Sequence, residues 1–261
     1  MWYRIWAFML RYLYLYRRSP ARIIIDIFWP GMTLLVWGFF VTYLSRVISS
    51  QVVIYLLGAI ILWDVLQRSQ QQITLAITEE YWVRNIINIF IAPVTAFELA
   101  LANCIFGVIR AVITAGLLSI MAYGLYSFNI TSLGPILILF VFNLLIFGWS
   151  LGLLTMGLVF RFGHVAERLI WTVPVVIQPL SAVFYPVDVL PPWLQLPAKF
   201  LPSTHIFESL RAGLTSGQAS WSVLGLVFLL NLVWLIFGAF IYGWMLKVVK
   251  EKGYLTRQSM E

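Results

Sequence analysis

Among 261 residues the chain carries one cysteine, two histidines and ten acidic residues. The single Cys104 lies inside an apolar run, so no disulfide can form within the chain and no cysteine-based metal site is available. It reads as a small buried apolar residue. Charged residues make up only 10% of the chain, against roughly a quarter in soluble domains. Water cannot be the main solvent for such a sequence. No G-x-x-x-x-G-K-[ST] occurs, since Lys199, Lys247, Lys250 and Lys252 are all followed by other residues; the chain has no phosphate cradle of that kind. Internal repeats and low-complexity segments are missing too. So is a short cleavable hydrophobic core at the start, which predicts that no signal peptide is removed.

What is present is apolar: 62% of residues are hydrophobic. A bilayer core of about 30 Å needs roughly 20 apolar residues per helix. Six runs qualify or nearly qualify, at residues 23–44, 52–78, 96–125, 133–159, 169–184 and 223–249. The fifth holds Pro174 and Pro179 and barely reaches across, so a kink is predicted there. Ahead of them, Trp2, Ile5, Trp6, Met9, Leu13 and Tyr16 recur at helical spacing opposite Arg4, Arg11 and Arg18. Residues 1–18 therefore read as a helix lying in the membrane interface. The predicted fold is an all-α membrane protein in one domain, with six transmembrane helices, an N-terminal interfacial amphipathic helix and a short re-entrant helical hairpin before the last span.

The formal charge of +7 fits positively charged cytoplasmic flanks better than nucleic-acid binding. With both termini inside, one side holds Arg4, Arg11, Arg17, Arg18, Arg22, Arg84, Arg161, Arg168, Lys247, Lys250, Lys252 and Arg257, and the other only Arg46, Lys199 and Arg211. Cytoplasmic N- and C-termini follow, in agreement with six crossings. This topology puts His164 and His205 on opposite sides, which excludes a paired-histidine metal centre.

Charges within spans are expensive and point to a protein-lined interior. In the second span Asp64, Arg68, Gln71, Gln72, Leu75 and Glu79 follow i, i+3, i+4, i+7 spacing and share one face. Asp64 and Arg68, four apart, can neutralise each other as a structural pair, or line a substrate pathway. Arg110 in the third span and Glu98 near its start need partners, which the second span could supply. Asp26 has Arg22 one turn earlier, an arrangement that predicts a local salt bridge.

Two breaks interrupt the spans on the cytoplasmic side. Residues 79–93 read as a short amphipathic helix, with Glu79, Glu80 and Arg84 as polar contacts, Tyr81 and Trp82 as aromatic anchors, and Pro93 as its end. The second break, residues 161–168, contains Arg161 and His164. On the outer side, residues 185–220 hold five of the eleven prolines and are too apolar for a solvated loop and too broken for a span. Two short helices are predicted, from Pro192 to Phe200 and from His205 to Arg211, the second capped by Ser203 or Thr204 and ended by Gly213. Together they form a hairpin dipping into the outer leaflet.

The stretches FYPVDVLPPWLQ and LPSTHIFESLRAGL carry an aromatic-Pro turn at Tyr185-Pro186, a Leu-Pro-x-Trp helix start from Leu190 to Trp193, a Pro-x-Thr at Pro202 to Thr204, and Glu208 with Arg211. With EEYWVRNIINIFIAPVTAFELALAN, they resemble the type-2 permease family of ATP-binding-cassette exporters over nearly the whole chain. One departure is Ser181-Ala182, where that family often has Ser-Gly. The resemblance implies a homodimeric permease in a bacterial or archaeal inner membrane. It implies partnership with two copies of a separate ATPase that binds ATP and Mg, and no cofactor in this chain. Glu79, Glu80, Tyr81, Trp82, Arg84, Arg161 and His164 would couple to that ATPase. Asp64, Arg68, Gln71, Gln72 and Arg110 would line the pathway, and Tyr185, Pro186, Trp193, Glu208 and Arg211 would form the outer gate. The expected cargo is amphipathic: a lipid-linked glycan or polysaccharide, a lipid or a hydrophobic drug. Twelve Trp and twelve Tyr suit either sugar stacking or the interfacial belts. The competing class is an ion-coupled secondary transporter using the intramembrane charges.

Overall fold

Long runs of Leu, Ile, Val and Phe with few breakers form helices here because an apolar medium offers no partner to a backbone N–H or C=O; each must be satisfied within its own segment. The computed structural model describes residues 1–44, 50–83, 85–216 and 221–252. Within these residues eleven α-helices follow one another: α1 (Trp2–Arg18), α2 (Pro20–Leu44), α3 (Ser50–Trp82), α4 (Ile86–Ile91), α5 (Ala96–Tyr126), α6 (Ile136–Phe162), α7 (His164–Glu167), α8 (Leu169–Leu180), α9 (Pro192–Lys199), α10 (Pro202–Ser216) and α11 (Trp221–Lys252). No strand occurs among the described residues.

Among the described residues, four helices are long and apolar enough to cross a membrane: Pro20–Leu44, Ala96–Tyr126, Ile136–Phe162 and Val223–Lys252. The structure departs from even spans at two places. α3 has 33 residues, about 50 Å at 1.5 Å per residue, but its second half is polar. α8 has only 12 residues, about 18 Å, short of a bilayer core. α3 also runs on through Glu79 and Glu80 to Trp82, so the separate element expected over 79–93 shrinks to the six residues of α4.

The helix α3 forms the axis, packed against α5 and α6 and, more lightly, against α2, α8 and α10. Its residues Leu57, Ile61, Leu62, Leu66 and Ile73 are fully enclosed. The apolar core has two parts. One gathers Leu34, Tyr55, Phe140, Phe147 and Phe207 at the hairpin end. The other gathers Ile77, Ile86, Leu99, Phe160, Ala166 and Tyr242 at the opposite end, where α4 and α7 sit.

Close packing of α6 on both neighbours needs small residues. A Cβ on Gly148 would stand 2.7 Å from the Leu66 carbonyl oxygen of α3, and one on Gly238 of α11 would collide with the Ser150 carbonyl oxygen of α6. Polar side chains stitch the same seams: Ser69 donates to the Leu145 carbonyl at 3.0 Å, and Asn231 donates to Asn143 Oδ1 at 2.9 Å.

The hairpin end differs from expectation in its caps. Ser203 and Thr204 lie inside α10, not ahead of it. Their hydroxyls hold the end of α8 instead, Ser203 against Ser181 Oγ at 2.7 Å and Thr204 donating to the Leu180 carbonyl at 3.1 Å. The helix passes through Gly213 and reaches Ser216, because a glycine continues a helix at a cost of only about 1 kcal/mol. Ala182 adopts φ +53°, the left-handed region that favours glycine. It occupies the position where the resembled family often has one.

Candidate functional site

Proline has no N–H to donate, so Pro30 within α2 leaves the main-chain oxygen of Asp26, four residues earlier, without its helical donor. Arg68 of α3 supplies the missing bond, its Nη2 donating to that oxygen at 3.0 Å. The same guanidinium faces the Asp26 carboxylate at 3.3 Å and Asp64 at 3.4 Å. Arg110 of α5 reaches Asp26 from the other side at 2.6 Å and also donates to Gln72 Oε1. Asp26 thus gathers two arginines from two helices, and Tyr16 of α1 donates to its second oxygen at 2.8 Å. Burial raises the Tyr16 phenol above its ordinary pKa, which keeps the donating proton in place.

This cluster overturns one expectation. Asp26 does not pair with Arg22; Arg22 turns to Glu79 at the end of α3, with both carboxylate oxygens at 2.9 Å. The i, i+4 spacing permits the local pair, but two other guanidiniums compete for Asp26 from across the bundle. Glu98 also differs from expectation. Its partners come from the N-terminal helix, not from α3: Arg4 at 3.5 Å and the Met1 ammonium at 3.8 Å. It closes a capping box with Thr95 as well, accepting from the Thr95 N–H at 2.9 Å while its own N–H donates to the Thr95 hydroxyl at 3.2 Å.

Beside the cluster lies a cleft of about 510 Å³ between α2, α3, α5 and α8. Asp64, Arg68, Gln71 and Arg110 line it, together with the aromatic rings of Trp29, Trp63 and Trp171. Trp37 and Phe184, stacked at 4.5 Å between centroids, bound it as well. A smaller space of about 140 Å³, bordered by Tyr12, Tyr16, Gln72 and Glu79, lies beyond. Asp26 and Arg110 border both spaces, so their ion pair is part of the partition between them. Of the expected pathway residues, Gln72 faces the smaller space and the other three on α3 face the larger.

At the α4 end, the two acidic residues closing α3 are held by arginines from the N-terminal segments. Glu80 pairs with Arg11 of α1 and Glu79 with Arg22 of α2. Trp82 is exposed and donates to Glu167 of α7 at 3.1 Å. Arg161 stands over the Phe162 and Trp244 rings at 5.2 and 5.9 Å. Arg84 lies outside the described residues, as do the side chains of Tyr81 and His164.

At the hairpin end, Arg211 organises the turn after α8. It donates to the Ala182 carbonyl at 3.0 Å and to the Tyr55 hydroxyl at 2.7 Å, and its guanidinium lies 4.5 Å from the Tyr55 ring centroid. Glu208 pairs with Arg211 at 2.9 Å and accepts from the Val187 N–H at 2.9 Å. The Tyr185 hydroxyl donates to the Pro179 carbonyl at 3.0 Å, Pro186 precedes a short 3-10 turn, and Trp193 is exposed. Sequence reasoning did not select Tyr55 or Asp26 as site residues. An acid inside the run IIIDIFWPG was the available signal for Asp26, because a carboxylate in an apolar helix demands a buried partner.

The family model described as ABC-2 type transporter matches residues 3–215. No curated protein matches the chain.

Proposed function

Because the chain belongs to the ABC-2 type transporter family and is therefore a multi-pass membrane permease of an ATP-binding-cassette transporter, we propose that it works as an exporter. It sends an amphipathic cargo outward across a bacterial or archaeal inner membrane. The observation that carries this reading is the polar cleft beside Asp26, Arg68 and Arg110 inside an otherwise apolar bundle. Charges and amides of this kind are costly in a membrane unless they face a pathway or one another.

In this reading α2, α3, α5, α6 and α11 cross the membrane. α8, with the turn after it, makes the sixth pass, and α9 and α10 form a re-entrant hairpin at the outer face. The Lys and Arg bias places both termini in the cytoplasm. The α4 end is then cytoplasmic, and Glu79, Glu80, Tyr81, Trp82, Arg84, Arg161 and His164 meet an ATPase subunit, two of which serve a permease homodimer. ATP and Mg belong to that partner. The Asp26–Arg110 partition is the inner barrier of the cleft. The Arg211, Glu208 and Tyr55 cluster, with Tyr185, Pro186 and Trp193, is the outer one.

Closure of the ATPase pair can open such barriers only if it binds one permease state better than the other. The grip of Arg11 and Arg22 on Glu80 and Glu79 provides a route for that difference, since it ties the coupling end to α1 and α2. Purification of the tagged chain from its native host in mild detergent, with mass spectrometry of what accompanies it, tests the reading. A stoichiometric ATP-binding-cassette subunit is expected. A folded dimer that reproducibly lacks one would favour ion coupling through Asp64, Arg68, Glu98 and Arg110.

A further inference from the structure

The outward face of α1 is uncovered, apolar and basic at once. Its inward face packs on the bundle: Ile5 and Tyr12 are buried, and Tyr12 and Tyr16 meet the Phe106 ring of α5 at 5.3 and 5.5 Å between centroids. Trp2, Tyr3, Trp6, Leu13 and Tyr14 are left outside, each more than half exposed. A helix whose outer side met water would be polar there. The cations of α1 divide in the same manner. Arg4 and Arg11 turn inward to Glu98 and Glu80, whereas Arg17 and Arg18, in the last turn, are exposed. The helix itself contains no Asp or Glu, and the acids facing it are engaged elsewhere: Glu98 by Arg4, Glu80 by Arg11, Glu79 by Arg22, and Asp26 by Arg68 and Arg110. Among the described residues, Arg17 and Arg18 therefore have no counter-ion in the protein.

Cations in a last turn suit the negative end of the helix dipole, but that role calls for neither the exposed rings nor the missing acids. An anionic phospholipid answers all three features. Its phosphate oxygens accept paired hydrogen bonds from a guanidinium. Trp and Tyr rings settle at the level of the head groups. An anionic leaflet also favours each nearby Lys or Arg by about fivefold. Trp2, Trp6, Leu13 and Arg17 share one side of the helix by their spacing, and Trp6 and Arg17 are about 16 Å apart along its axis, so rings and cation form one stripe. The bonds of Arg4 to the start of α5 and of Arg11 to the end of α3 hold that stripe at the α4 end of the bundle. We propose that the outward face of α1 binds anionic phospholipids of the leaflet at the α4 end, Arg17 and Arg18 holding the phosphates and Trp2, Trp6 and Leu13 seated beside the upper acyl chains. Phosphatidylcholine offers the same phosphate next to its own cation, so the surface selects lipids of net negative charge. The proposal rests on the membrane placement of the chain, and on neither the direction of transport nor an ATPase.

The test uses the full chain in phosphatidylcholine nanodiscs doped with a trace of photoreactive phosphatidylglycerol or photoreactive phosphatidylcholine, the reactive group standing high on one acyl chain in both. Phosphatidylglycerol is expected to label peptides from residues 1–18 about thirtyfold more than phosphatidylcholine, the product of two fivefold preferences. Salt at about 1 M should shrink that ratio, because charges are then screened within about 3 Å. Combining Arg17→Gln with Arg18→Gln should bring the ratio close to one, while Arg17→Lys with Arg18→Lys keeps most of it. Should the glutamine variant fail to fold, the salt dependence of the parent decides. Equal labelling by the two lipids in the parent would overturn the proposal, as would a ratio indifferent to salt or to the glutamine pair. A glutamine variant that melts earlier with an unchanged ratio would confine the arginines to the helix end and overturn it as well. So would loss of labelling on addition of an ATPase subunit, since a protein would then cover this face. A preparation without any ATPase would strike the partner reading alone and leave the labelling ratio standing.

Discussion

Arg68 donates to the one main-chain oxygen of Asp26 that Pro30 leaves without a helical partner. A proline that would weaken an isolated helix thereby becomes a docking point for the neighbouring one. Restoring the N–H with Pro30→Ala lets α2 satisfy Asp26 internally and frees one Arg68 donor. The expected result is a helix that is locally more regular but less firmly tied to α3. Faster amide hydrogen exchange at the α2–α3 contact, with no loss of α2 helicity, would show it; unchanged exchange would count against the role given to Arg68.

Removal of the Asp26 carboxylate strands two guanidiniums at once. Asp26→Ala should cost about 3 kcal/mol, the low end for stripping a partner from a buried pair, since Asp26 keeps some exposure. Asp26→Asn retains the shape but not the charge and should fall between. Thermal unfolding in detergent measures both, and equal stability of Asp26→Ala and the parent would refute the cluster.

Exchanging the charges of the α3 pair by combining Asp64→Arg with Arg68→Asp would rescue function if the two residues served only each other. The structure gives Arg68 a second acid, Asp26 at 3.3 Å, so the exchange would set a new carboxylate against an existing one. The double variant is expected to fold no better than Arg68→Asp alone, as judged by size-exclusion profiles. Full recovery would mean that the contact with Asp26 is dispensable.

Much of this was legible in the sequence, and the gaps have physical causes. The polar face of α3 showed itself because residues three and four apart must share a helix side. The partner of Asp26 did not, because i, i+4 spacing ranks the local Arg22 first and is blind to Arg68 and Arg110, which arrive only once α3 and α5 pack beside α2. The departure at Ser181-Ala182 was visible as a missing glycine; that the chain nevertheless holds the left-handed turn there depends on Arg211 and Tyr55, 29 and 127 residues away in sequence from Ala182, to whose carbonyl both donate. The caps assigned to Ser203 and Thr204 failed for a similar reason, as their hydroxyls found the end of α8 before any local N–H.

That turn provides a further check. An alanine with positive φ costs roughly 1 kcal/mol, and Ala182→Gly should return most of it, less what glycine gains in the unfolded chain. Ala182→Val should destabilise by more. A rise in melting temperature for glycine and a fall for valine is expected; the reverse order would show the backbone to be unstrained there.

At the other end, replacing Trp82 and Arg84 together with Ala should leave insertion intact but separate ATP hydrolysis from export in the reconstituted transporter. Trp82 forfeits its bond to Glu167 along with its exposed ring. Normally coupled export by this variant would remove the segment from the coupling surface.

The glycine seams of α6 have a mechanical meaning. With Gly148 laid on the backbone of α3 and Gly238 of α11 laid on the backbone of α6, these three helices have no clearance along which to slide, and they behave as one solid block. The helix α2 meets the block differently, through guanidinium bonds, across a cleft and through the side chains of Leu34 and Val41, with no glycine laid on the backbone of α3. A stroke that moves cargo is therefore easier for α2 than for any of these three, with α3, α6 and α11 as the frame against which it pushes and the N-terminal helix held to α3 and α5 through Arg11 and Arg4.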